Sequence, residues 1–277
     1  MSNDEIVAGI MRDYILNLLK EKKRIDDRGF EDYRPIEVEV GVIEKAEGSA
    51  LVKLGNTQVL VGIKATLGEP FPDTPNMGVM TTNVELVPLA SPTFEPGPPD
   101  ERAIELARVI DRGIRESRAL NLEKMVIAPG KIVRVVFIDV HVLDHDGNLM
   151  DAIGIGAIAA LLNARVPKVL YNEETGEVEI LEEKEPLPVE KIPIPVTFAK
   201  IGNYLVVDPT LEEEQIMDGR LTITTDETGH ISAVQKSEGG AFKLEEVMYA
   251  VETAFKKAEE IRKIILNALE KANNSEE

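Results

Sequence analysis

The chain contains no cysteine and no tryptophan. Without cysteine there are no disulfides, no thiolate metal sites and no cysteine nucleophile, which fits a reducing compartment. Long apolar runs are missing too. The longest covers residues 152–162, far short of the roughly 20 residues that a membrane-crossing helix needs. The N-terminus lacks a basic region followed by an apolar core, so no export signal is read. Positive charge is scarce: 31 Lys and Arg stand against 50 Asp and Glu, for a formal net charge of −19. Such a protein repels polyanions at long range. What is present, 43% hydrophobic and 29% charged residues over 277 positions, describes a globular chain of one large or two small domains. The abundance of Glu, Lys and Arg resembles thermophile usage. The expectation is a cytoplasmic protein with no membrane contact.

Apolar spacing predicts an amphipathic helix over 6–23, with Ile6, Val7, Ile10, Met11, Tyr14, Ile15, Leu18 and Leu19 on its apolar face. Strand-like runs follow at 36–40, 50–54, 59–65 and 79–89. A long strand at 131–143 ends in the turn Asp144-His145-Asp146-Gly147-Asn148, and a helix is expected over 151–165. Residues 171–195 hold an acidic hairpin and several prolines and read as a connection. The pattern then restarts. Lys53-Leu54-Gly55-Asn56 and Lys200-Ile201-Gly202-Asn203 sit in matching hairpins, before strands at 59–61 and 205–207. Strands at 221–225 and 230–235 and a helix over 244–271 complete the chain. This predicts an α+β fold of two duplicated β-α lobes packed as one unit. The division is 1–30 for the N-terminal helix and lead-in, 31–170 for the first lobe, 171–195 for the connection and 196–277 for the second lobe.

Residues 95–118 read EPGPPDERAIELARVIDRGIRESR. Pro98 and Pro99 stop any earlier helix, and Asp100 suits an N-cap. At about 100° per residue, Leu106, Val109, Ile110 and Ile114 share one side. Arg108, Arg112 and Arg115 share the other within roughly 60°, with Arg118 at the margin. Arginine donates two parallel hydrogen bonds to phosphate oxygens, so this face suits an anionic backbone. Glu105, Asp111 and Glu116 flank it at i+3 and i+4 spacings, and a solvated face laced with ion pairs has the same pattern.

Three other motifs carry weaker chemistry. Gly154-Ile155-Gly156-Ala157-Ile158-Ala159 fits G-x-G-x-x-A, yet its glycines fall inside a helix rather than in the loop that a dinucleotide site needs. His141 and His145 lie beside Asp144 and Asp146, but one is in a strand and the other in a turn, so they read as structural. Residues 208–218 contain Asp208, Glu212, Glu213, Glu214 and Asp218. Such a cluster suits Mg²⁺ and a general acid, or an acidic surface turn.

Arg24-Ile25-Asp26-Asp27-Arg28 resembles the R-x-D-G-R motif of the ribonuclease PH family, with aspartate replacing the glycine. Residues 48–57, GSALVKLGNT, resemble that family's first hairpin, and residues 94–118 and the second half match as well. The segments TFEPGPPDE, ELARVIDR and YLVVDPT are similar to those of the non-catalytic ribonuclease PH-like subunit of the archaeal exosome. The resemblance implies a ribonuclease PH-like fold and a catalytic ribonuclease PH-like partner, with three heterodimers closing a hexameric ring. It also implies RNA-binding cap subunits and a single-stranded RNA substrate for the complex. The implied reaction is attack of phosphate on the terminal 3′ phosphodiester, releasing a nucleoside diphosphate.

Departures from the family pattern bear on the role of this chain. In active members an arginine follows the D-G-G-T turn. Here the turn reads Asp146-Gly147-Asn148-Leu149, and Met150 takes the arginine position. Active members also carry two carboxylates after the second-lobe strand. Counting from Glu214, the second position is Arg220, and Asp218 is two residues out of register. Arg102 matches a phosphate-contacting arginine but makes half a cradle by itself. The resemblance therefore implies no catalytic residue, no cofactor and no metal in this chain, any magnesium belonging to the partner's site. It implies RNA backbone contacts from Arg108 and Arg112, with Arg115 next on the same face. Two alternatives stand beside this: an active exoribonuclease using Asp208, Glu214 and Asp218, and a ring scaffold that never touches RNA.

Overall fold

The computed structural model describes residues 3–275, with side chains from 10 to 274. Helix α1 (Asn3–Lys20) precedes strands β1 (Ile36–Val40), β2 (Gly48–Leu54), β3 (Thr57–Gly68) and β4 (Val79–Leu86). Helix α2 (Glu101–Glu116), the short β5 (Val126–Ala128), the long β6 (Ile132–Asp144) and α3 (Leu149–Asn163) follow. A hairpin of β7 (Arg165–Tyr171) and β8 (Val178–Pro186) leads onward. The remaining elements are β9 (Ile194–Ile201), β10 (Tyr204–Val207), α4 (Leu211–Ile216), β11 (Gly219–Thr225), β12 (Ile231–Ser237) and α5 (Leu244–Ser275).

Two sheets enclose a layer of helices. The first has the order β1-β2-β3-β6-β4, with β5 also on β6, and only β4 runs parallel to its neighbour. The second, β10-β9-β11-β12, is antiparallel throughout. Helix α3 packs on β2 and β3 on one side and on β9 on the other, while α2 bridges β4 and β12. A helix apolar on every side belongs in a core, and residues 149–161 of α3 are all buried. Gly154 and Gly156 make its close approach possible. A Cβ at Gly154 would strike the Pro195 ring, and one at Gly156 would lie 2.8 Å from Val61 Cγ2. The G-x-G-x-x-A spacing is thus a packing device.

The two Gly-Asn hairpins share one geometry. Each turn has two residues, with Gly55 at φ +58° and Gly202 at φ +62° in the first place. Positive φ there matches the twist of the flanking strands.

Several boundaries differ from those expected. Helix α1 ends at Lys20, just before Lys22 turns left-handed at φ +58°. Its Ile15 and Leu19 bury against Ala199, Ile201, Val206 and Ile216, so the first helix of the chain belongs to the second lobe's core. Ile10 and Tyr14 are exposed instead, and the side chains of Ile6 and Val7 lie outside the described residues. Strand β4 stops at Leu86, short of Pro88, which cannot donate to a ladder. Within the acidic run 208–218 the chain forms α4, started by a reciprocal capping box between Thr210 and Glu213. Helix α5 continues four residues beyond Lys271 to Ser275. Among the described residues no helix is long and apolar enough to cross a membrane.

Candidate functional site

Helix α2 starts where its sequence says it should. The Asp100 carboxylate accepts from the Ala103 backbone N–H, and Glu101 sits in the first turn, both favourable against the helix dipole. Ala103, Leu106, Val109, Ile110, Gly113 and Ile114 are buried. Arg108, Arg112, Arg115 and Arg118 are exposed on the outside.

The acids beside these arginines do not treat them alike. Glu105 turns toward the second lobe, accepting from Arg220 Nη2 at 2.8 Å, from Gln235 Nε2 at 3.1 Å and from the Ser237 hydroxyl. Burial raises the Glu105 pKa, but the Ser237 and Arg220 contacts outweigh that and hold it below the usual carboxylate value. Asp111 pairs with Arg115 at 2.9 and 3.0 Å, and Arg115 also donates to the Met80 carbonyl. No described residue hydrogen-bonds or ion-pairs with the side chains of Arg108 or Arg112. The ion-paired reading therefore describes Arg115, while Arg108 and Arg112 stand free.

A second cluster forms where α2, α3 and α4 converge. The turn after β6 places Gly147 at φ +87°, and a Cβ there would lie 2.6 Å from the Leu211 nitrogen. Asn148, at φ +50°, caps α3 by accepting from the Asp151 N–H. Its own backbone N–H donates to Glu214 Oε1 at 2.9 Å. Arg102, in the first turn of α2, lies 3.6 Å from Glu214 Oε2 and 2.8 Å from His145 Nε2. It also stands over the Phe94 ring, on which His145 stacks at 5.4 Å. Burial, then the nearby cations Arg102 and Arg34, lower the His145 pKa to about 4. The imidazole is neutral at pH 7, and Nε2 accepts, because a guanidinium can only donate. Met150 is buried beside this cluster in the first turn of α3.

The carboxylates of residues 208–218 are already engaged. Asp208 is fully buried, at φ +50°. It accepts from the Arg34 backbone N–H, Nε and Nη2 at 2.8, 3.0 and 2.7 Å, from Arg28 Nη1 at 2.8 Å and from Asn148 Nδ2 at 2.8 Å. Glu213 takes a bidentate pair from Arg24 at 2.9 and 2.5 Å, with both side chains wholly buried. Asp218 accepts from Arg12 at 2.8 Å and from the Gly202 N–H at 2.7 Å. His141 faces Glu85 at 3.3 Å, while His145 faces Arg102, so the two histidines serve different neighbours. Among the described residues no group of three or more His, Asp or Glu is placed to hold a metal ion.

Sequence reasoning missed the Phe94–His145–Arg102 stack and the latch from Glu105 to Arg220. No local signal announces either. The Arg24–Glu213 pair had a partial one, since the capping pattern Thr210-x-x-Glu213 is legible.

Residues 32–167 match domain 1 of the 3′ exoribonuclease family, and residues 191–257 match its domain 2. The chain is 90% identical over 272 residues to the exosome complex component Rrp42 of Pyrococcus horikoshii, covering 98% of this chain and 99% of that protein. It is 75% identical to the exosome complex component Rrp42 of Thermococcus kodakarensis, over 98% of this chain and all of that one. Among solved structures it is similar to a chain of the Archaeoglobus fulgidus exosome with RNA bound to the active site. Identity there is 51%, the TM-score is 0.86, and 93% of this chain and 98% of that chain are covered. An archaeal exosome core matches with 46% identity and a TM-score of 0.83, over 95% and 99% of the two chains.

Proposed function

The chain belongs to the ribonuclease PH-like 3′ exoribonuclease family, and from that premise we propose that it works in an archaeal exosome as the subunit that guides RNA without cleaving it. Its partner in this reading is a catalytic ribonuclease PH-like subunit, in a hexameric ring of three heterodimers bearing RNA-binding caps in the cytoplasm. The observation that carries the RNA role is the unpaired state of Arg108 and Arg112 on an exposed helix face. In a chain with a net charge of −19, two neighbouring guanidinium groups left free of internal acids are available to backbone phosphates. Phosphate contacts position RNA and carry no base information. Arg115 shares the face but holds Asp111 and Met80, so it contributes less.

The absence of catalysis is supported by what fills the positions matched to active members. Met150 is apolar and buried, and Arg220 is turned to Glu105. Asp208, Glu214 and Asp218 are committed to Arg34, the Asn148 N–H and Arg12. Replacing both Arg108 and Arg112 by glutamate in the assembled complex should weaken RNA binding and flatten its salt dependence. Unchanged affinity would leave only a scaffold. The purified chain should release no nucleoside diphosphate from RNA and phosphate. Turnover that Asp218→Asn abolishes would restore the active-enzyme alternative.

A further inference from the structure

The Glu214 carboxylate is placed where an anion from solvent would otherwise sit. Three segments converge on it: the N-terminal end of α3 through the Asn148 N–H, the first turn of α2 through Arg102, and α4, which carries Glu214 itself. A helix N-terminus joined by a guanidinium forms an oxyanion site, because unsatisfied N–H groups and positive charge point the same way. The Glu214 side chain is 8% exposed, and its nearest cation, Arg102, is 3.6 Å away. Arg102 meanwhile directs Nη2 at His145 at 2.8 Å. Burial raises the Glu214 pKa, opposed by the Asn148 N–H and by Arg102, Arg220 and Arg34. Arg220, a tenth exposed, has an Nε with no partner among the described residues. The local donors thus exceed what one carboxylate satisfies.

We propose that Glu214 is an internal ligand that closes an oxyanion pocket formed by Arg102, the Asn148 N–H and the start of α3, so that the pocket excludes inorganic phosphate while the carboxylate is in place. This deepens the non-catalytic reading by naming what blocks the site. It is tested by anion binding, so either idea can fail alone.

The probe is inorganic phosphate, titrated calorimetrically into the full-length chain against chloride at matched ionic strength. Wild type should give no saturable heat. Glu214→Ala should bind phosphate saturably, and Glu214→Gln, which fills the space without charge, should bind more weakly. Adding Arg102→Gln to Glu214→Ala should weaken the new site about tenfold or more. A Glu214→Ala protein that keeps its circular dichroism yet takes no phosphate overturns the inference, as does a new site indifferent to Arg102. Should the alanine variant not fold, the wild type still decides. A melting temperature raised by phosphate over chloride, and lost in Arg102→Gln, means that the pocket is open and the inference wrong. A wild-type melt that ignores phosphate supports it.

Discussion

On α2 the Arg108 and Arg112 side chains stand in solvent with no acid attached, whereas Arg24, Arg28 and Arg34 are packed against Asp208 and Glu213. The residue type is the same, and so is the surplus of acids around it. What differs is whether the fold brings a carboxylate within reach. In the buried region each charge has left water and must be matched, so Arg24 carries four partners: Glu213 and the carbonyls of Asp32, Val207 and Asp208. These bonds tie the N-terminal lead-in to the second lobe. On α2 the arginines gain nothing from the fold and lose nothing when changed, which leaves them free for an external anion. A buried ion pair matters because breaking it strands a charge, and an exposed arginine matters only when a ligand arrives.

This contrast can be broken in order of expected effect. Arg24→Ala leaves Glu213 buried and unpaired, and should cost about 3–5 kcal/mol in chemical denaturation. A loss no larger than that of a surface substitution would erase the distinction between the regions.

The next effect is a pH dependence around His145. Its pKa is about 4 when folded, against about 6.5 when unfolded. Between those values the unfolded chain holds the extra proton, so stability is complete above pH 6.5 and falls on acidification. Asp151 opposes it. Burial dominates over its bonds to Tyr33, Asn148 and Thr197 and raises its pKa to about 6, so its penalty is full above pH 6 and is relieved on acidification. In His145→Asn only the second trend remains. The stability gap between wild type and variant should therefore shift by on the order of 3 kcal/mol in the variant's favour from pH 6.5 to 4, read by urea unfolding across that range. A gap independent of pH would mean that His145 titrates normally.

Smaller effects belong to α2. Arg108→Glu with Arg112→Glu should change unfolding free energy by less than about 0.5 kcal/mol each. The same pair should make the logarithmic salt slope of RNA binding shallower by roughly 1.4, for two phosphate contacts on a single strand. Arg115→Ala should be the mildest change. It loses one exposed i,i+4 pair, about 0.3–0.5 kcal/mol, and should weaken RNA less than either neighbour does, measured on the assembled complex.

Much of the architecture can be read locally. The two-sided pattern of α2 appears because neighbours at i+3 and i+4 share a face. Gly55 and Gly202 announce hairpins because only a two-residue turn of that hand joins twisted strands. The continuous apolar run in α3 requires burial on all sides. The partners of the charged residues are a different matter. Glu105 has the spacing to pair with Arg108, yet it meets Arg220, 115 residues away in sequence. Arg24 meets Glu213 across 189 residues, and Arg102 meets His145 across 43.

The sequence by itself determined the elements, the buried stripes and the arginine-bearing face, since each follows from spacing within a few turns and from the chemistry of single residues. Only the tertiary structure decided which arginines are consumed internally, which are left for a ligand, and that Glu214 lies at the start of α3. Coulomb energy and hydrogen bonding depend on separation in space, and β-sheet topology sets that separation between residues that local patterns cannot relate.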